Sequence, residues 1–90
     1  MVDCGDAPLT RLDNRVALTQ LERAHRSAAA RPPASPKLSP VPRIVALGGD
    51  HTTTLSALRE LHRNWGQVSV IHFDAHIGMY LFVFFFFLAQ

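Results

Sequence analysis

The apolar positions between residues 14 and 30 predict a first amphipathic helix. Apolar side chains recur there every two to four residues and form an approximate stripe, while most charged residues fall elsewhere. Asp13 or Asn14 can cap this helix, because either side chain can accept a hydrogen bond from a free backbone N–H. The stripe consists of Val16, Leu18, Leu21, Ala24 and Ala28.

A second helix is predicted from Thr53 or Thr54, either of which can cap it, to about Trp65. Its apolar residues share one face, and its charged residues are expected to point away. Gly66 follows at the position where a left-handed helix terminus favours glycine. The apolar face comprises Leu55, Leu58, Leu61 and Trp65, and the charged residues are Arg59, Glu60 and Arg63.

The segments on either side of the second helix predict two buried strands. Residues 31–42 hold five prolines in twelve residues, which excludes helix and ladder pairing and indicates a surface loop. The apolar runs "RIVALGG" (43–49) and "QVSVIHFDAH" (67–76) suit strands that are buried on both faces. Residues 43–76 therefore predict one βαβ unit with parallel strands and a right-handed crossover, an α/β fold preceded by an N-terminal helix.

Polar residues follow both predicted strands, in "GGDHTTT" (48–54) and in "DAH" (74–76). Ligands of parallel α/β sheets bind at the carboxyl ends of the strands, and neighbouring strands lie about 4.8 Å apart. The side chains of residues 74 and 76 project to the same side, so His51, Asp74 and His76 are expected to converge. The two glycines are expected to let the backbone turn sharply and to leave room. Such a nitrogen and carboxylate set suits Mn²⁺, Zn²⁺ or Fe²⁺ better than Ca²⁺ or Mg²⁺.

The same residues also permit plainer interpretations than a metal site. "GGDHTTT" can also cradle an anion at a helix N-terminus, but Asp50 would repel a phosphate. His51 alone is more typical of a loop histidine and Asp74 alone of a helix cap; their joint occurrence at consecutive strand ends favours the metal site. His72 is interpreted as structural or as a support behind the ligands. Surface positions without a function are predicted for His25 and His62.

Composition excludes several function classes. The 90 residues suffice for one small domain, and nine basic against seven acidic residues give a formal charge of +2. The basic residues are scattered, so nucleic-acid binding has little support. Cys4 is the single cysteine and is interpreted as buried or inert, without an internal disulfide. No secretory signal is readable at the N-terminus, and a cytoplasmic or mitochondrial location is expected.

The run "VALGGDHTTTLSALREL" followed by "VSVIHFDAH" closely resembles the ureohydrolases, the arginase and agmatinase family, with the agmatinase branch nearer. The resemblance covers roughly residues 2–77. It implies a partial three-layer α/β/α fold and hydrolysis of linear amidines at C–N bonds that are not peptide bonds. Two Mn²⁺ ions would share a hydroxide that attacks a guanidinium carbon and releases urea. By the matching motifs, His51 would ligate one manganese, Asp74 would bridge the pair, and His76 would ligate the other.

The implied substrate is a small guanidine such as agmatine, with no nucleic-acid or membrane partner, and a homo-oligomer is left open for the intact family. The family's second motif reads D-A-H-x-D, but Gly78 stands in place of its last aspartate, so one ligand is missing. The family's later aspartate-rich motif and its catalytic histidine and acid are also absent, and no catalytic residue is assigned. The chain is therefore expected to be a truncated fragment that is inactive as given.

Residues 78–90, "GMYLFVFFFFLAQ", lie outside the predicted domain at residues 1–77. The apolar run of about a dozen residues is shorter than the roughly 20 that span a membrane, and its uncharged aromatic character favours aggregation. Codons for Gly-Met-Tyr can contain an intron donor and phenylalanine codons a pyrimidine tract, so we interpret this tail as intron read-through. Poor independent stability is expected.

Two other functions fit parts of the sequence. A non-catalytic module could bind metal weakly, or could dock onto a full-length relative by adding strands to its sheet. A zinc deacetylase of related fold also uses an Asp-x-His pair, but "GGDH" argues against that class.

Overall fold

A computed structural model of the chain describes residues 1–75 and contains two helices. Helix α1 spans Asn14–Ala29 and helix α2 spans Thr53–Trp65, which confirms both predicted helices. Within the described residues, neither helix is long and apolar enough to cross a membrane. The predictions for the tail at 78–90 lie outside the described residues.

Asp13 caps α1, as one of the two predicted alternatives. Its Oδ1 accepts hydrogen bonds from the backbone N–H of Arg15 at 2.8 Å and of Val16 at 3.1 Å. Two of the donors that a helix start leaves unpaired are thereby satisfied. The segment that precedes α1 is also attached to it, because the backbone N–H of Thr10 donates to Oε1 of Gln20 at 2.7 Å.

The start of α2 differs from the prediction. Thr52 occupies the N-cap position and makes no side-chain cap hydrogen bond. The predicted cap residue Thr53 lies inside the helix, and its hydroxyl donates to the carbonyl of Asp50 at 2.9 Å. Capping by Thr53 or Thr54 is therefore wrong, because Asp50 engages the threonine hydroxyls in a turn before the helix. Gly66 ends α2 with φ of +73°, which favours glycine as predicted, but its ψ of −140° lies outside the left-handed helical conformation that the prediction assumes.

The two helices pack against each other through a small side chain. Ser56 of α2 is fully buried, and its Oγ lies 3.5 Å from the carbonyl oxygen of Leu18 on α1. A side chain of this size lets the two backbones approach closely. Leu58 and Ala29 are the buried apolar residues of the described chain, so this core is small.

Polar residues extend the contact along both helices. Arg59 donates to Glu22 across the interface at 2.5 Å, with both side chains partly buried. Glu60 is 6% exposed and His25 is 8% exposed. The predictions that Glu60 points away and that His25 lies on a helix surface are therefore wrong.

These predictions fail because the face of a helix that contacts its partner differs from the apolar stripe that the sequence shows. On α1, the residues that meet α2 or are buried follow a spacing of four, three and four, which is one face of a helix. That face mixes apolar and polar side chains: Leu18, Glu22, His25 and Ala29. Glu60 is tolerated because its carboxylate is bonded on its own helix, by Arg63 and by Nδ2 of Asn64 at 3.0 Å.

The two predicted strands are not formed in the described residues. Residues 43–49 and 67–75 contain no strand, and residue 76 is outside the described range. Leu47, Ile71 and Phe73 are each more than 80% exposed. A strand needs partners for its backbone groups, and a strand buried on both faces also needs a layer on each side. Beside these two segments, the part of the chain that the structure describes supplies the helix pair and no second layer.

The proline-rich segment 31–42 is a loop, as predicted, with turns but neither helix nor strand. An open cavity of about 710 Å³ is lined by residues from 41–46, by residues 68–69 and by both helices. Buried His25 and Glu60 lie on its helical side. The face of the helix pair that looks toward the predicted strands is therefore incompletely packed.

Leu58→Ala is expected to destabilise the helix pair by about 2 kcal/mol, because it removes a buried apolar side chain from a small core. Leu61→Ala deletes the same atoms from a residue that is 44% exposed and serves as the matched control, with an expected cost below about 1 kcal/mol. Urea titration followed by circular dichroism at 222 nm measures both changes. Equal losses for the two variants would contradict the packing described here.

Candidate metal centre

His51 stands in a tight turn that leads into α2. The carboxylate of Asp50 accepts hydrogen bonds from the backbone N–H of Thr52, at 2.9 Å, and from the Thr52 hydroxyl. The carbonyl of Asp50 accepts from the N–H and the hydroxyl of Thr53. These bonds fix the backbone on both sides of His51 and so limit the directions in which its imidazole can point.

The same bonds act on the charge of Asp50. Donation by the Thr52 hydroxyl, and then by the Thr52 backbone N–H, lowers the pKa of the Asp50 carboxyl below its usual value. Asp50 is therefore an anion that shapes the turn.

The glycines before this turn play a smaller part than the sequence predicts. Positive φ in the described residues occurs at Gly5 and Gly66, and not at Gly48 or Gly49. A Cβ added at Gly49 would meet no atom within 4 Å, and one at Gly48 would touch Thr53 at an ordinary 3.5 Å. The turn therefore does not require glycine conformations, although Gly49 does leave open space beside His51.

The second part of the site comes from the extended chain after α2. A helix of 13 residues is about 20 Å long, and six extended residues cover about the same distance. The segment from Gly66 to His72 can thus return along the full length of α2 to the turn at its start. His72 and Asp74 are two residues apart and lie on the same side, with Nε2 of His72 3.4 Å from Oδ2 of Asp74.

Three side chains meet where the two segments come together. The candidate ligand atoms of His51, His72 and Asp74 all lie within 4.8 Å of one another. The rings of His51 and His72 have centroids 5.0 Å apart and are tilted by 49°. Two imidazole nitrogens and a carboxylate oxygen are donors typical of Mn²⁺, Fe²⁺ or Zn²⁺ sites. We call these three residues the His51 cluster.

The structure thus brings together two of the three predicted ligands, His51 and Asp74. The third, His76, lies outside the described residues, as does Gly78. His72, which the sequence analysis interprets as structural, belongs to the cluster. The signal that could have placed it there is the alternation of an extended chain, because residues 72, 74 and 76 project to one side.

Comparison with known proteins identifies the family. The model of the Arginase family matches residues 1–81, which is most of the chain, and the chain belongs to this family. Membership carries the family's α/β fold class, although the described residues contain two helices and no strand. The match ends slightly beyond the predicted domain boundary at residue 77.

The chain is similar to agmatinases from fungi and bacteria. "Putative agmatinase 1" of Schizosaccharomyces pombe is 46% identical over 85 residues, which cover 86% of this chain and 22% of the relative. "Putative agmatinase 3" of the same organism is 46% identical over 86 residues, covering 86% and 21%. "Agmatinase" of Neisseria meningitidis serogroup B is 39% identical over 80 residues, covering 89% and 23%. The chain spans about a fifth of the length of these relatives, and no solved structure matches it.

Proposed function

We propose that this chain carries part of the manganese centre of an agmatinase-like amidinohydrolase, and that it binds metal without hydrolysing a guanidine by itself. The observation that supports this most directly is the approach of His51 and Asp74 from opposite ends of α2. Family membership and the similarity to agmatinases support the proposed reaction class, the hydrolysis of a small guanidine such as agmatine to release urea.

The proposed ligands are His51, Asp74 and His76, with Asp74 as the bridging carboxylate. The donor chemistry of the described pair fits manganese, which accepts both imidazole and carboxylate. Asp50 is not part of the His51 cluster, and its Oδ1 accepts two hydrogen bonds from Thr52. When bound, paired metal ions would lower the pKa of a water and stabilise the charge that develops on attack.

We further propose that residues 43–49 and 67–76 are neighbouring parallel strands in the complete domain. Their exposed apolar side chains, Leu47, Ile71 and Phe73 among them, are of the kind that a buried parallel sheet encloses. Parallel neighbours would also explain why the residues at their carboxyl ends meet. Both segments already flank α2 in the order that a βαβ unit requires.

We base the proposed lack of catalytic turnover on Gly78. Glycine offers no side-chain donor where the family motif D-A-H-x-D places an aspartate. With fewer carboxylates, the site holds less negative charge to balance two divalent cations. We therefore expect weak binding of manganese, below the capacity of an intact centre.

Substitution of the proposed ligands is expected to weaken Mn²⁺ binding. His51→Ala and Asp74→Asn should each reduce affinity by about tenfold or more, because each removes a donor atom. Electron paramagnetic resonance of free Mn²⁺ measures the affinity, and circular dichroism checks that helix content is unchanged. His62→Ala, on α2 and outside the His51 cluster, is the matched control and should bind like the unmodified chain. Unchanged affinity in both ligand variants would overturn the proposed metal site.

Replacing Gly78 is expected to restore a missing donor. Gly78→Asp should tighten Mn²⁺ binding by about tenfold, whereas Met79→Asp adds the same charge one residue later and should have a smaller effect.

The unmodified chain should release no urea from agmatine at saturating Mn²⁺, as measured by a colorimetric urea assay. Turnover close to that of an intact agmatinase would refute the proposed inactivity.

A second function, docking of this chain onto a full-length relative, is favoured by the exposed apolar segments that flank α2. An extended segment can add to the edge of a partner's sheet. Co-expression with an intact agmatinase and size-exclusion chromatography of the purified complex tests this function. Docking predicts co-elution at a defined ratio, and separate elution of the two chains would rule it out.

A further inference from the structure

We infer that His72 is itself a metal ligand, so that His51, His72 and Asp74 form a site for one divalent cation of the Mn²⁺, Fe²⁺ or Zn²⁺ type. This inference rests on the proposed function, because it concerns the same centre. It assigns a ligand role to a residue that the family motif leaves outside the ligand set, in a chain whose motif has lost an aspartate at Gly78.

The distance between His72 and Asp74 favours coordination over a supporting hydrogen bond. A histidine that orients a carboxylate donates to it over about 2.7–3.2 Å. Nε2 of His72 lies 3.4 Å from Oδ2 of Asp74. Two donor atoms that share one tetrahedral ion, at bond lengths of about 2.1 Å, lie about 3.4 Å apart. The pair is thus spaced like two ligands of one ion.

The position of His51 fits the same ion. Two imidazoles that bind one metal through ring nitrogens have ring centroids about 5 Å apart. The centroids of His51 and His72 are 5.0 Å apart, and the 49° tilt excludes parallel stacking as their mode of contact. The three ligand atoms all lie within 4.8 Å of one another, a limit slightly above the roughly 4.2 Å span of an ion's coordination shell, and small side-chain rotations would suffice to close that difference.

The solvent exposure of the three residues and the net charge of the occupied site also suit a divalent cation. All three residues are exposed, so a hydrated ion can reach them without opening the fold. Two neutral imidazoles and one carboxylate leave a divalent cation with a net charge of +1, which solvent can balance at an exposed site. The set matches the two-histidine, one-carboxylate arrangement that leaves coordination positions open for water.

The test measures affinity and ligand identity together, on the full chain. Mn²⁺ binding is compared among the unmodified chain, His72→Ala, His72→Gln, His51→Ala and Asp74→Asn, with His62→Ala as the control. Electron spin echo envelope modulation of bound Mn²⁺ then counts the coordinated imidazole nitrogens. His72 is about half exposed, so its replacement is expected to leave the helix pair intact, which circular dichroism verifies.

A ligand role predicts that His72→Ala lowers affinity by about tenfold and removes the signal of one imidazole, and that His72→Gln does not restore binding. Glutamine keeps a donor that could orient Asp74, so rescue by His72→Gln with an unchanged imidazole count would show a positioning role and overturn the inference. Unchanged binding in His72→Ala, with weaker binding in His51→Ala and Asp74→Asn, would overturn the inference and leave the proposed function standing. Unchanged binding in all of these variants would overturn both.

Discussion

The close approach of α2 to the backbone of α1 at Ser56 is the constraint on which the rest of the described structure depends. Both segments that build the site are attached to the ends of α2, one before Thr53 and one after Trp65. Because α2 is fixed against α1, the turn at His51 has a defined position, and the returning chain meets it there. If α2 did not pack against α1, the two segments would have no fixed position relative to each other.

Sequence patterns predict the two helices well and their packing poorly. Asp13 and Gly66 mark helix ends through local chemistry, which depends only on neighbouring residues. The packed face depends on the partner helix, and it includes His25 and Glu60, which apolar periodicity assigns to the surface. Burial of Glu60 is possible because Arg63 and Asn64 satisfy its carboxylate, a pairing that hydrophobic spacing does not encode.

The candidate site, like the helix pair, is predicted only in part by the sequence. Alternation along an extended chain predicts that Asp74 shares a side with its neighbours two residues away, and the predicted order of the two segments around α2 places His51 near them. The same alternation places His72 on that side, although the position of His72 before the end of the predicted strand favours a structural role. The strands themselves were not formed in the described residues, because ladder pairing is a property of several segments at once and cannot be read from one.

The bare apolar side chains of Leu47, Ile71 and Phe73 have a consequence for the lifetime of the chain in a cell. Molecular chaperones and proteases select chains by such uncovered segments, and they act continuously on any population that displays them. The abundance of this protein would therefore depend on how long these side chains stay uncovered, even under conditions in which the helix pair is intact.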